Sequence, residues 1–141
     1  MDTMDKQRLV QLEKLSQKYD LEFVLLYGSQ SKGKPLTKES DLDLAIYKKG
    51  GITAGDYFEL YLKLSNIFRG QNLDLKTLTS ADAFLRFQII KNGIPLYIKD
   101  QTSYHQFYSI AYKDFHDSQS LFDLMRLMQE KRQKYLEAKY A

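Results

Sequence analysis

Three carboxylates in two strand-like stretches carry the chemistry of this chain: Asp41 and Asp43 in Asp41-Leu42-Asp43, and Asp74 in Leu73-Asp74-Leu75. Side chains along a strand alternate between faces. Leu42, Leu44 and Ile46 therefore fall on one face, and Asp41, Asp43 and Ala45 on the other. If the two stretches are neighbours, about 4.8 Å apart, all three carboxylates converge. Close anions repel and resist desolvation, so such a cluster calls for a cation among them. Oxygen ligands with no histidine or cysteine nearby favour magnesium or manganese. A Gly28-Ser29 pair ends the β-rich run Leu21 to Tyr27, where a side-chain-free residue, backbone N–H groups and a hydroxyl make a phosphate cradle. Gly33, with Lys32 and Lys34 beside it, keeps that loop open and positive. The set implies a divalent metal site that handles a nucleoside triphosphate.

The elements that must position these residues are legible in the apolar spacing. Leu9, Leu12, Leu15 and Tyr19 share a helical face from Asp5 to Tyr19. Strands are expected at about Glu22 to Tyr27, Asp41 to Tyr47 and Leu73 to Leu78, with a fourth over Ile94 to Ile98. A second helix starts at the capping arrangement Thr53-Ala54-Gly55-Asp56 and continues through Tyr57, Leu60, Leu64 and Phe68. Ser80 is the expected cap of a third helix, and Gly93 its expected left-handed terminus. After Asp100, Tyr104, Phe107, Tyr108, Ala111, Tyr112 and Phe115 recur at helical spacing, and Leu121 to Met128 extend the pattern. This arm reads as either a cover for the sheet or an exposed partner surface; apolar stripes usually pack, so covering the sheet is the expectation. His105 and His116 lie about 16 Å apart along such a helix and cannot share one ion. The tyrosines on apolar stripes, Tyr57 and Tyr61 among them, read as core residues with a hydroxyl at the rim.

Composition bounds the rest. The 141 residues, 43% hydrophobic and 28% charged, suit one soluble domain with a sizeable core. No stretch nears the roughly 18 apolar residues of a membrane span, and Met1 to Asp5 lacks a signal-like pattern. Zero cysteines rule out disulfides and thiolate metal sites and fit a cytoplasmic protein. A net charge of +3, with lysines spread along the chain, is too mild for direct nucleic-acid coating.

Taken together, Gly28-Ser29, the loop with Gly33, Ser40-Asp41-Leu42-Asp43-Leu44 and Asp74 resemble the nucleotidyltransferase superfamily of DNA polymerase beta-like fold. The shortness of the chain is similar to that of the minimal nucleotidyltransferase (MNT) antitoxins that pair with HEPN-domain ribonuclease toxins. The likeness runs from about Leu9 to Ile98, ending on Asn92-Gly93-Ile94-Pro95-Leu96-Tyr97. The loop Gln30 to Ser40 is one residue longer than that family usually shows, a change that loops tolerate better than strands. The resemblance implies an α+β fold, a mixed sheet with helices packed on it, as a nucleotidyltransferase domain over residues 1–100 and a helical extension of it over 101–141. It implies transfer of AMP from ATP to a tyrosine hydroxyl of a cognate HEPN toxin, in a hetero-oligomer. Asp41, Asp43 and Asp74 would hold two magnesium ions, or manganese. Asp74 would also help deprotonate the acceptor, while Gly28 and Ser29 would hold the phosphates. Transfer to a small molecule of aminoglycoside type is the alternative enzyme reading, and a binding-only antitoxin the alternative without catalysis.

Overall fold

The structure, a computed structural model, describes residues 5–28 and 41–140. In chain order its elements are α1 Lys6–Lys18, β1 Phe23–Tyr27, β2 Asp41–Tyr47, α2 Ala54–Ile67, β3 Asn72–Thr77, α3 Ala83–Asn92, β4 Ile94–Ile98 and α4 Gln101–Tyr140. Helix starts follow from side chains that satisfy otherwise unpaired N–H groups. Asp5 accepts from the Arg8 amide and Thr53 from the Asp56 amide. The third start differs from expectation. Asp82, not Ser80, caps α3 by accepting from the Leu85 amide. Ser80 stands too early in the chain, and its hydroxyl lies 2.5 Å from that of Thr77.

Gly93 also corrects the sequence reading. Its backbone is extended, with φ −74° and ψ 149°, so no left-handed terminus is present. The glycine is required by space instead. A Cβ there would run into the Ile89 carbonyl oxygen and crowd the Leu25 side chain.

The sheet order is β3-β2-β1-β4, with β1 antiparallel to both β2 and β4 and β2 parallel to β3. The mixed sheet expected from the sequence is therefore present, with α2 as the crossover that makes a parallel pair possible. Both faces are covered. Leu42, Leu44 and Ile46 of β2 pack with Leu12 of α1 and with Leu60, Leu64 and Phe68 on and after α2. On the opposite face, Phe23 and Leu25 of β1 and Ala45 of β2 pack with Phe87 and Ile90 of α3 and Ala111 of α4. The rim tyrosines behave as read: the Tyr57 hydroxyl donates to the Leu75 carbonyl at 2.6 Å.

Helix α4 is 40 residues long, about 60 Å at the usual rise. Its first part covers the sheet as expected, through Tyr104, Phe107, Ala111 and Phe115. The second part does not. Leu121, Leu124, Met125, Leu127 and Met128 are 47–62% exposed. The reason is length. The ten residues of α3 end their support at the Phe84–Phe122 ring contact, and α4 outruns the surface that could bury it. Among the described residues no helix is long and apolar enough to cross a membrane.

Candidate active site

Strand register does the assembling. Asp43 of β2 lies opposite Asp74 of β3, Asp41 lies opposite Asn72, and on the other side of β2 Tyr27 lies opposite Asp43. Because paired residues in a sheet share a face, Tyr27, Asp43 and Asp74 form one transverse row. The Asp43 and Asp74 side chains are within hydrogen-bonding reach of each other. Asp41 stands exposed at the strand entrance, where its carboxylate accepts from the Asn72 amide group at 2.9 Å. Leu42, Leu44, Leu73 and Leu75 hold the row from beneath, all buried.

The electrostatics are those of an anion pair short of positive charge. Burial, and then the charges of Asp74 and Asp41, hold the Asp43 carboxyl above the ordinary carboxylate range, with Lys76 opposing them. Lys76 lies 3.9 Å from Asp74 and shares its face. The Tyr27 hydroxyl is buried and without a hydrogen-bond partner among the described residues. Burial first, then Asp74 and Asp43, push its phenol well above its usual value. At neutral pH it is therefore an O–H donor facing the carboxylate row.

Gly28 follows β1 with φ +77°, a conformation that costs a side-chain-bearing residue about 1–2 kcal/mol. A Cβ at Gly28 would overlap the Asp43 carboxylate. The residue read as opening a path to phosphate thus also leaves room for the central carboxylate. Ser29, Lys32, Gly33, Lys34 and Ser40 lie outside the described residues.

Among the described residues no three His, Cys, Asp or Glu side chains are gathered tightly enough to cage a metal ion by themselves. The donor set still fits magnesium, which is typically bound by one or two carboxylates together with substrate phosphate oxygens rather than by an all-protein cage. An adjacent carboxylate pair, one member held above its ordinary range, is the arrangement such an ion relieves. Asp41, Asp43 and Asp74 are the residues that would hold it.

Tyr27 and Lys76 were missed in the sequence reading. Alternation puts Lys76 on the Asp74 face, but only the registers that set β1 and β3 against β2 bring both residues to Asp43 and Asp74.

Comparison with known proteins places the fold. The family profile described as polymerase beta, nucleotidyltransferase matches residues 11–102. No curated protein gives a significant sequence match. Among solved structures, a chain of a toxin–antitoxin crystal structure with AMP-PNP aligns at TM-score 0.62 and 21% identity, covering 94% of this chain and 98% of its own. A chain from the tri-AMPylated Shewanella oneidensis HEPN toxin in complex with MNT antitoxin aligns at TM-score 0.60 and 21% identity, covering 98% and 100%. A chain of the toxin–antitoxin MntA–HepT structure gives 0.59 and 19%, covering 97% and 100%. At these identities the likeness is one of fold.

Proposed function

The chain belongs to the polymerase beta nucleotidyltransferase family, and from that premise we propose that it is an antitoxin-type adenylyltransferase that moves AMP from ATP to a tyrosine hydroxyl of a HEPN-domain partner. The observation that carries the reading is the opposed Asp43–Asp74 pair set against Gly28. Its fold matches toxin–antitoxin chains over nearly the whole length of both, including one complex with AMP-PNP and one with a tri-AMPylated toxin.

In this reading, Asp41 and Asp43 would hold magnesium, and Asp74 would complete the set. The bound ions would offset the negative charge on the α-phosphate and on the leaving pyrophosphate. Gly28 leaves the backbone open to the β- and γ-phosphates, and Ser29 adds a hydroxyl. Tyr27 keeps a buried, protonated hydroxyl in the carboxylate row. The acceptor's phenolic oxygen forms a bond to the α-phosphorus, the bond from that phosphorus to the bridging oxygen breaks, and pyrophosphate leaves. The phenolic proton passes to Asp74. Residues 1–100 carry these groups, with 101–141 as a helical extension. A cytoplasmic site of action is in keeping with a chain free of cysteine.

Intact-mass spectrometry of the co-encoded partner, incubated with this protein, ATP and magnesium, tests the reading. One or more AMP-sized increments are expected, lost in the Asp41→Asn, Asp43→Asn double variant while the complex still forms. A stable complex without any increment from the wild-type protein would leave a binding-only antitoxin.

A further inference from the structure

A cavity of about 550 Å³ opens along the edge of β3, the outermost of the described strands, lined by Ile52, Tyr57, Lys76, Thr77, Ser80 and Leu85 among others. Its size lies within the roughly 300–1,000 Å³ of clefts that hold small ligands. Its walls are of two kinds. Ile52, Tyr57 and Leu85 offer apolar surface, whereas Thr77, Ser80 and Lys76 are polar.

Its position follows from the register. Gly28 lies at the end of the sheet where β2 and β3 begin, while Thr77 pairs with Ile46 near the opposite end. Asp43 and Asp74 stand between the two along the strands but on the face opposite to Leu75 and Thr77, so the cavity meets the carboxylates around the edge of β3, at Lys76. Lys76 belongs to both regions, lining the cavity and standing 3.9 Å from Asp74. Phosphoryl and nucleotidyl transfers proceed in line, so the attacking oxygen approaches the phosphorus from the side opposite the leaving group. With the pyrophosphate at Gly28 and the α-phosphate at the aspartates, the attacking group comes from the β3 side.

We propose that the β3-edge cavity is the acceptor site, which takes a phenol side chain from the protein acceptor and directs its hydroxyl past Lys76 toward Asp74. The assignment rests on the adenylyltransferase reading above. Ile52, Tyr57 and Leu85 provide the apolar contact that an aromatic ring needs. Lys76 places a positive charge where the phenolic oxygen gains negative character as its proton leaves, a form of stabilisation that acts most in the transition state. The edge of β3 gives a polypeptide, rather than a free metabolite, room to approach.

The test blocks the cavity while leaving the phosphate end alone. Leu85 is 37% exposed and Ser80 is exposed, so Leu85→Glu and Ser80→Trp change the cavity without opening the core. Each is assayed, as the full chain with its co-encoded partner, for complex formation, AMP-PNP binding and the rate of AMP transfer. The expected result is an intact complex, AMP-PNP affinity within about twofold of wild type, and a transfer rate down by about 10²-fold, the cost of misplacing a reacting group. Should one variant fail to melt cooperatively, the other decides. Unchanged transfer overturns the assignment. A parallel loss of AMP-PNP affinity overturns it in favour of a nucleoside site, and loss of the complex overturns it in favour of a general contact surface. If wild-type protein labels no partner, the adenylyltransferase reading fails and the acceptor site falls with it. If wild type labels and the variants do too, only the acceptor site fails.

Discussion

The two faces of β2 are built from alternate residues of one seven-residue strand, yet they answer to different demands. Leu42, Leu44 and Ile46 are fully buried against α1 and α2 and do only what apolar side chains do. Asp41 and Asp43 are spaced by the same period of two and face Asn72 and Asp74 across the β3 ladder. One face lowers the free energy of the fold; the other spends some of it, because Asp43 is held half-buried beside a second carboxylate. A strand with an unfavourable residue type on only one face marks a site, and the leucine face is what holds that site in register.

The sharpest way to separate the two faces is Asp43→Asn. AMP transfer should fall below detection while stability rises. The Asp43 carboxyl titrates above its unfolded-state value, so the proton binds the folded form more tightly. Without divalent metal, the wild-type protein should therefore lose stability as pH rises from the unfolded-state value of Asp43 through the raised folded one, and Asp43→Asn should remove that slope. Relieving a like-charge pair across a sheet is worth about 0.2–1 kcal/mol, readable in melting curves at a series of pH values. A neutral-pH melting temperature that drops in Asp43→Asn would break the contrast.

Leu44→Ala tests the other face. It should cost about 2–5 kcal/mol in denaturant unfolding, as for other buried leucines. In the fraction that stays folded, AMP-PNP affinity should persist, since no ligating atom is lost. Gly28→Ala sits where the faces meet. It should cost about 1–2 kcal/mol for the left-handed backbone and, by displacing the Asp43 carboxylate, weaken the response of the melting temperature to magnesium and AMP-PNP together. A full thermal response in Gly28→Ala would show that the carboxylate can move aside freely. The smallest effect belongs to Asn72→Ala, which removes one donor to Asp41. Stability should change by about 0.5 kcal/mol or less for so exposed a bond, while transfer slows slightly because one of the contacts that orient Asp41 is gone.

Much of this was legible because it depends on period. Alternation in Asp41 to Tyr47 fixed which residues share a face, and the structure starts and ends β2 at those residues. The pairing of Asp43 with Asp74 was conditional on two strands being neighbours, and the parallel β2–β3 ladder meets that condition. What the sequence hid depends on space and length. Gly93 reads as a helix stop by type, but its reason is the Ile89 carbonyl and Leu25 pressing against it. Leu121 to Met128 look like core by composition, and only the brevity of α3 leaves them exposed. Tyr27 and Lys76 are ordinary residues for a strand, and their part in the site appears only once β1 and β3 flank β2.

The parallel pairing of β2 with β3 also sets when the site comes into being. Asp41 and Asn72 are 31 residues apart in sequence, and Asp43 and Asp74 are joined by the same register, so the intervening chain must close before either pair exists. Contacts of that separation form slowly, because loop entropy is spent before they return anything. A nucleotide and its ions would then find no binding site in the early collapsed chain. They would act on the finished molecule, slowing its unfolding and leaving its rate of folding nearly unchanged.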